Sequence, residues 1–303
     1  MKKESSLLHS FLLLITAIIW GTSFVAQSSG MKLIGPFLFS FIRYMMGGTV
    51  LIPVILIIRR KKDIDMKLSV KYGIGCGIIL CAASNFQQLA MIRVSAGKAG
   101  FITALYIILV PVVGLFMKKK TGIVIWLCVA MAMVGLYFLC IGRGGGYIFE
   151  IADIQLLICA LIFSFHIIYI DHANEKGVDG VVMSCVQFYV AGIISALFIY
   201  PVDAGIYGRV PSLTTLIPAL PAVSYSGLMA CGVAYTLQIV GQKGVNPTVA
   251  SLIMSLESVV SAISGFLILG QRLSTDELIG CVIMFAAIIL AELPHDRCST
   301  KTP

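Results

Sequence analysis

The chain has 303 residues, of which 59% are apolar and only 12% are charged. An average soluble domain is about 45–50% apolar and about 25% charged, so this composition excludes a soluble enzyme, a disordered regulator and a secreted domain. The net charge of +8 requires no nucleic-acid partner, because the basic loops of a multi-pass membrane protein explain it.

Apolar segments of about 20 residues, long enough to cross a bilayer, recur along the chain. They are predicted to be helices, because lipid offers the backbone no hydrogen-bond partners. The segments lie at about 8–28, 36–58, 70–92, 98–117, 122–141, 153–171, 181–200, 218–241, 247–269 and 276–292. The sequence therefore predicts an all-α membrane protein with ten transmembrane helices.

Lysine and arginine positions predict the orientation of these helices. With the N-terminus inside, 15 of the 22 basic residues lie at inside positions, 6 lie outside and Arg43 lies within a span. Cytoplasmic loops carry an excess of lysine and arginine. Both termini are therefore predicted to be cytoplasmic, in a multi-pass protein of the cytoplasmic membrane whose first partner is the lipid bilayer.

The two halves of the chain are similar to each other. At a constant offset of 151 residues, the identical pairs are Ala83–Ala234, Gln87–Gln238, Ala99–Ala250, Ile102–Ile253, Leu105–Leu256 and Gly114–Gly265. Earlier in each half, Trp20 pairs with Phe163 at offset 143, and Arg43 pairs with Gln187 at offset 144.

A glycine run at Gly142–Gly146 separates these copies and predicts a hinge. We place the first five-helix repeat at residues 1–145 and the second at 146–303. Because five is an odd number, the two copies must cross the membrane in opposite directions. Inverted repeats of this kind are typical of secondary transporters, whose binding sites lie near mid-membrane between the halves.

Short motifs in four helices carry a family resemblance. They are Trp20-Gly21-Thr22-Ser23-Phe24, Phe41-Ile42-Arg43-Tyr44, Leu105-Tyr106 followed by Val110-Pro111-Val112-Val113-Gly114, and Ser255-Leu256-Glu257-Ser258-Val259 followed by Leu269-Gly270-Gln271-Arg272-Leu273. With them the chain resembles the ten-helix EamA-type transporters of the drug/metabolite transporter superfamily, although Gln271 replaces a glutamate that members often have. The resemblance implies transport of a small solute, usually export, by alternating access, and it does not identify the solute.

Glu257 is the acidic residue nearest the middle of a predicted span. A charged side chain at this depth costs roughly 2.5–3.5 kcal/mol on insertion scales, and ionisable groups within the membrane mark transport pathways. A carboxyl group that retains its proton avoids this cost, so Glu257 is a candidate proton carrier. The alternative is a structural glutamate that ties helices together through hydrogen bonds.

Tyr106 is the repeat partner of Glu257, and the symmetry predicts that the two residues lie on opposite walls of one cavity. In the first helix, Trp20 and Ser23 belong to a polar stripe that also contains Thr16 and Gln27. We predict that Trp20 and Ser23 line the cavity, with hydrogen bonding between helices as the alternative.

The third and eighth helices carry matching polar groups. Gln87 lies near the outer end of the third helix, and Tyr235 and Gln238 lie near the inner end of the eighth. Inverted repeats would place these groups at opposite mouths of one pathway, and the alternative is a set of polar helix ends that face headgroups.

Two further side chains in the spans are candidates for contact with the solute. His166 is a candidate ligand or proton relay, although a lone histidine more often serves packing. Arg43 is predicted to reach the membrane interface, with solute contact as its alternative role.

The sequence contains no nucleotide-binding, hydrolase or metalloprotease motif and no metal-ligand cluster, so no cofactor is expected. The favoured hypothesis is a secondary active exporter of small metabolites or amino-acid-like solutes, with proton coupling as a hypothesis to test and with monomer and homodimer both open. The alternatives are an antiporter of phosphorylated or nucleotide-linked sugars, which needs cationic groups in the cavity, and a membrane enzyme or scaffold that transports nothing.

Overall fold

A computed structural model of the chain describes residues 2–60, 64–94, 96–116, 122–141, 150–269 and 275–292. These residues form helices and contain no β-strand. In chain order the helices are α1 (Lys2–Gly30), α2 (Pro36–Arg59), α3 (Met66–Met91), α4 (Ala96–Ala104 and Tyr106–Phe116), α5 (Ile123–Ile141), α6 (Ile151–Glu175), α7 (Gly180–Leu197), α8 (Leu213–Tyr225, Ser226–Tyr235 and Thr236–Gly241), α9 (Pro247–Met254 and Leu256–Leu269) and α10 (Thr275–Glu292).

Eight of these helices are long and apolar enough to cross a membrane. The other two, α5 and α10, contain the shorter apolar helices Ile123–Phe138 and Leu278–Ala291. The prediction of an all-helical membrane protein with ten helices is confirmed. Several helices extend beyond the predicted segments, since α8 begins at Leu213 rather than near 218 and α6 continues to Glu175.

The packing of the helices has an internal two-fold symmetry. Helix α3 packs against α6 and α7, and its counterpart α8 packs against α1 and α2. Helix α1 packs against α9, and its counterpart α6 packs against α4. The pairs α2–α7, α4–α9 and α5–α10 each join a helix to its own counterpart. If each helix is replaced by its counterpart in the other half, every one of these contacts becomes another contact of the same set. Two inverted five-helix repeats require this symmetry. The predicted boundary at 145/146 and the glycine hinge lie outside the described residues.

Glycines allow the close approach of helices across this symmetry. A Cβ atom at Gly73 or Gly77 of α3 would lie 2.6 Å from Val186 Cβ and 2.7 Å from the Gln187 carbonyl oxygen of α7, respectively. In the symmetry-related contact, a Cβ atom at Gly227 of α8 would lie 3.0 Å from the Arg43 carbonyl oxygen of α2. Small residues are the usual means by which transmembrane helices pack closely, so these glycines set the distances between the two halves.

The N-terminus of α2 receives its cap from the other half of the protein. In the second repeat, Asp179 precedes α7 and accepts hydrogen bonds from the Val181 and Val182 backbone N–H groups. The equivalent position before α2 is Gly35, which has no side chain to cap the helix. Instead, the Asp203 carboxylate accepts hydrogen bonds from the backbone N–H groups of Phe37 (3.2 Å) and Leu38 (2.8 Å).

Asp203 belongs to a π-helical turn, Ile199–Ala204, in the connection between α7 and α8. Burial raises the pKa of its carboxyl group above the ordinary value, although the two backbone donors and Arg209 oppose this shift. Arg209 in the same connection donates to the carbonyl oxygens of Met31 and Ile34. The α7–α8 connection therefore binds the α1–α2 connection at one end of the bundle, as expected for two loops on the same side of the membrane.

Replacement of Asp203 by alanine is expected to destabilise the fold. The N-terminal N–H groups of α2 would lose their acceptor, and loss of such a cap costs about 1 kcal/mol of the free energy of unfolding. The measurement is the apparent melting temperature of the purified protein in detergent. Asp203→Asn is the matched control, because it keeps one oxygen acceptor and should lose less. Equal melting temperatures for wild type and Asp203→Ala would contradict the cap.

Candidate functional site

A cavity lies between the two repeats. It encloses about 510 Å³ of space free of protein atoms, including the open volume at its mouth. Side chains from α1, α2, α3, α4, α6, α8 and α9 surround it: Trp20, Phe24, Gln27, Arg43, Gln87, Thr103, Tyr106, Phe163, Ile167, Ala230, Tyr235, Gln238, Met254 and Glu257.

Most of the lining consists of symmetry-related pairs. At the repeat offsets of 143 and 151 residues, the pairs that line the cavity together are Trp20–Phe163, Phe24–Ile167, Gln87–Gln238, Thr103–Met254 and Tyr106–Glu257. A cavity that draws equivalent residues from both halves lies on the pseudo-two-fold axis. This is where inverted-repeat proteins place a site that opens alternately to the two sides of the membrane.

Tyr106 and Glu257 are in direct contact. The Tyr106 hydroxyl donates a hydrogen bond to Glu257 Oε1 at 3.0 Å, and both side chains are buried. The prediction that they face each other from opposite walls is wrong, because α4 and α9 pack against each other. The contact places the mid-membrane carboxyl and its repeat partner in one hydrogen-bonded pair at the cavity wall.

The helices that carry this pair are both interrupted next to it. Leu105 separates the two parts of α4, and Ser255 separates the two parts of α9. In α9 the hydroxyl groups of Ser251 and Ser255 donate to the carbonyl oxygens of Thr248 and Leu252, which tends to bend helices. Tyr106 and Glu257 thus lie one and two residues after single-residue irregularities in paired helices, each of which continues as one span.

An aromatic pair joins α1 to α8. The rings of Trp20 and Tyr235 have centroids 4.6 Å apart, and Trp20 Nε1 donates to the Ala230 carbonyl oxygen at 3.3 Å. Ala230 lies in the π-helical part of α8, Ser226–Tyr235. π-helical segments occur frequently at functional sites. Trp20 lines the cavity as predicted, and Tyr235, which was predicted at the inner mouth of the pathway, lines the same cavity.

Ser23 and Thr16 form contacts between helices instead. Ser23 Oγ accepts from Gln27 Nε2 at 3.1 Å and lies 3.5 Å from Ser226 Oγ. Thr16 Oγ1 lies 3.2 Å from the Ala234 carbonyl oxygen of α8. The residues of the polar stripe of α1 therefore have two different roles. Trp20 and Gln27 line the cavity, whereas Ser23 does not and serves packing between helices.

Gln87 and Gln238 both line the cavity, and their placement at opposite mouths of the pathway stays a prediction. Gln87 Nε2 donates to Thr103 Oγ1 at 3.2 Å. Gln238 is 1% exposed, and its Oε1 atom has no hydrogen-bond partner. The cavity wall therefore contains a buried acceptor that is free to receive a donor.

His166 lies behind the cavity wall, fully buried. Its Nε2 atom is 3.2 Å from Cys76 Sγ and 3.3 Å from Gln187 Oε1, and its ring contacts Tyr235 edge-on at 6.1 Å. These contacts match the packing role that was the alternative for a lone histidine. His166 supports Tyr235 and does not itself line the cavity.

Arg43 is the largest departure from the sequence analysis. It does not reach the interface, because it is buried at 3% exposure and lines the cavity. Its Nη1 donates to Gln27 Oε1 at 2.7 Å and its Nη2 donates to the Tyr44 hydroxyl at 3.0 Å. Gln88 Nε2 donates to the same Gln27 oxygen. A cation on α2 is thus held in place by polar groups of α1, α2 and α3.

Sequence analysis did not select several lining residues, namely Phe24, Thr103, Phe163, Ile167 and Met254. A signal for them was present, because each is the repeat partner of another residue in the lining. The offset of 143 residues pairs Trp20 with Phe163, so the predicted cavity position of Trp20 already pointed to Phe163 as a second lining residue. Thr103 precedes Tyr106 by three residues, which is one helical turn on the same face.

Comparison with known proteins agrees with this architecture. Residues 7–141 and 150–293 each match the EamA-like transporter family. An uncharacterized transporter of Archaeoglobus fulgidus is 27% identical over 287 residues, which cover 93% of this chain and 84% of the relative. The uncharacterized transporter YoaV of Bacillus subtilis is 21% identical over 284 residues, which cover 92% of this chain and 95% of the relative.

A crystal structure of a protein with 19% sequence identity has the same fold, with a TM-score of 0.74 over 93% of this chain and 96% of that one. Two consecutive matches to one family account for the two repeats, and the bundle of ten helices is the architecture of that family. The chain belongs to the EamA-like transporter family, within the drug/metabolite transporter superfamily.

Proposed function

We propose that this membrane transporter is a secondary active exporter of small metabolites or amino-acid-like solutes, which works by alternating access with protons as the coupling ion. The observation that carries the proposal is the cavity on the pseudo-two-fold axis, with the Tyr106–Glu257 pair in its wall. Exchange of conformations between the two halves would expose this cavity to each side in turn. The solute crosses the membrane without chemical change.

The composition of the cavity favours this proposal over transport of phosphorylated sugars. Phosphate groups are recognised by clusters of cationic donors. Within the described lining, Arg43 is the one basic side chain, and the remaining groups are aromatic, amide, hydroxyl, apolar and carboxyl. A mixed lining with one cation and one acid suits a small amphipathic solute.

Metabolite screening of expressing and deleted cells, followed by flux assays in proteoliposomes, tests the function. Trp20→Ala should lower export of the identified solute about tenfold, because the aromatic contact with Tyr235 and the hydrogen bond to α8 are both lost. Trp126→Ala is the matched control, since Trp126 lies on α5 away from the cavity. Equal loss in both variants would assign Trp20 to general stability, and a solute altered during transit would indicate an enzyme.

We also propose that the protein resides in the cytoplasmic membrane with both termini inside. The support is the excess of basic residues at inside positions, 15 against 6. Single cysteines on a cysteine-free background test it. Ile206→Cys in the exposed α7–α8 connection should react only with reagents added outside, and Lys176→Cys after α6 only with reagents that reach the inside. The reverse labelling pattern would show that the topology is opposite to the one proposed.

A further inference from the structure

Among the residues that the structure describes, the buried cation Arg43 has no ionic partner. Its hydrogen-bond acceptors, Gln27 Oε1 and the Tyr44 hydroxyl, are both neutral. Its Nε–H group has no acceptor at all. Within the described part of the chain, no carboxylate lies within ion-pair distance of the guanidinium, although the rings of Tyr44 and Phe39 lie 4.7 and 5.9 Å from it. A buried charge without a counter-ion is unfavourable, so its retention in a cavity wall requires an explanation.

The surroundings hold this guanidinium in position for an anion from the cavity. Helix α8 approaches the Arg43 backbone closely at Gly227, and Tyr44 stacks on Phe188 with centroids 6.0 Å apart. Gln27 Oε1 accepts from Gln88 as well as from Arg43. If an Arg43 N–H turned from Gln27 to a bound anion, the Gln27 oxygen would still have a donor. The site can therefore change partners without leaving a protein acceptor unpaired.

The cavity also contains acceptors for a donor group of the solute. Gln238 Oε1 is buried and has no hydrogen-bond partner, and Glu257 presents a carboxyl group held by Tyr106. Both side chains line the same cavity as Arg43. The lining thus has an unpaired hydrogen-bond donor on α2, the Arg43 Nε–H group, and an unpaired acceptor on α8, Gln238 Oε1. These two groups are complementary to a solute that carries an acidic group and a hydrogen-bond donor.

We infer that Arg43 is the anion-recognising residue of this cavity and selects solutes that carry one carboxylate, with Gln238 and Glu257 receiving an ammonium or hydroxyl group of the same solute. The inference rests on the proposed transport function and names its substrate class. A planar guanidinium matches the two oxygens of a carboxylate. A single cation with neutral neighbours balances one negative charge and not the two of a phosphate monoester.

Ligand-induced thermal stabilisation of the purified wild-type protein tests this inference. The probes are the twenty standard amino acids, their carboxamides, and glucose 6-phosphate. At least one amino acid should raise the melting temperature, and its carboxamide, which lacks the negative charge, should bind about tenfold to hundredfold more weakly. Equal stabilisation by the amide, stronger stabilisation by glucose 6-phosphate, or none by any amino acid would overturn the inference.

Variants at Arg43 provide the second measurement. Arg43→Gln should weaken binding of the amino acid by a similar factor and remove the discrimination against the amide, whereas Arg43→Lys should keep part of both. Arg93→Gln is the matched control, because it removes one positive charge at an exposed position outside the cavity. Retained discrimination in a folded Arg43→Gln protein would refute the role of Arg43.

Flux assays separate this inference from the proposed function. A solute without a carboxylate, transported equally by wild type and Arg43→Gln, would overturn the anion site and leave the transporter function intact. Absence of flux for every solute, together with normal insertion in the membrane, would overturn the function itself. The wild-type comparison of acid and amide requires no substitution, so a folding defect in a variant does not affect it.

Discussion

Glu257→Gln is expected to abolish proton-driven net flux in proteoliposomes. Glutamine keeps the size of the side chain and an oxygen that can accept from the Tyr106 hydroxyl, now 3.0 Å from Glu257 Oε1. It cannot release or bind a proton at neutral pH. The variant therefore resembles a permanently protonated site, and flux that depends on an imposed pH gradient should fall to background.

Exchange measurements distinguish a coupling role from a structural one. Solute exchange without net flux should continue in Glu257→Gln, because exchange needs no change in protonation. Glu257→Asp should retain partial activity with an altered pH dependence, since the carboxyl remains but the shorter side chain holds it farther from the Tyr106 hydroxyl.

Tyr106→Phe is the complementary control for Glu257→Gln, because it removes the hydrogen bond that glutamine can keep and leaves the titratable group. Wild-type pH dependence of net transport in Glu257→Gln would rule out proton coupling through this residue. Loss of both exchange and net flux in a poorly folded protein would instead indicate a structural carboxyl.

Gly21→Ala is expected to destabilise the protein and to lower transport. An added Cβ atom would lie 2.5 Å from Val260 Cβ and 2.7 Å from the Glu257 carbonyl oxygen. The second contact is with backbone, so α1 and α9 must move apart. Overpacking of this kind costs typically 1–3 kcal/mol, and here it displaces the helix that carries Glu257 relative to Trp20.

The apparent melting temperature and the flux of the reconstituted protein both measure this effect. Gly100→Ala is the matched control, because Gly100 also lies within a helix but the nearest atom to an added Cβ is Phe24 Cε2, at 3.8 Å. Alanine is the better helix former, so this control should be neutral or slightly more stable. Similar losses of melting temperature and flux in the two variants would show that the close α1–α9 contact is not the cause of the loss.

Features that depend on local composition were predicted from the sequence. The ten spans follow from hydropathy and length, because a bilayer requires about 20 apolar residues in each helix. The inverted repeat follows from the offset of 151 residues together with the odd number of helices. Glu257 was identifiable because an acidic residue within an apolar segment can be recognised from the sequence, whatever the packing of its helix. Gly73 and Gly77, four residues apart, likewise mark a close-packing face by residue size alone, and α3 approaches α7 at both positions.

Features that depend on the rotation of each helix about its axis required the tertiary structure. In lipid the outward face of a helix is as apolar as its packed face, so hydropathy does not tell which side chains point inward. For this reason Arg43 was expected at the interface and lies in the cavity, whereas Ser23 was expected in the cavity and lies behind its wall.

Contacts between the repeats were also decided by the fold. The pair formed by Tyr106 and Glu257 depends on how α4 crosses α9, and the cap that Asp203 provides to α2 spans 166 residues of sequence. The sequence by itself determined what each helix carries, because composition and periodicity are local. The tertiary structure alone decided which of those groups meet, because the distances between helices are set by glycines and loops that belong to opposite halves of the chain.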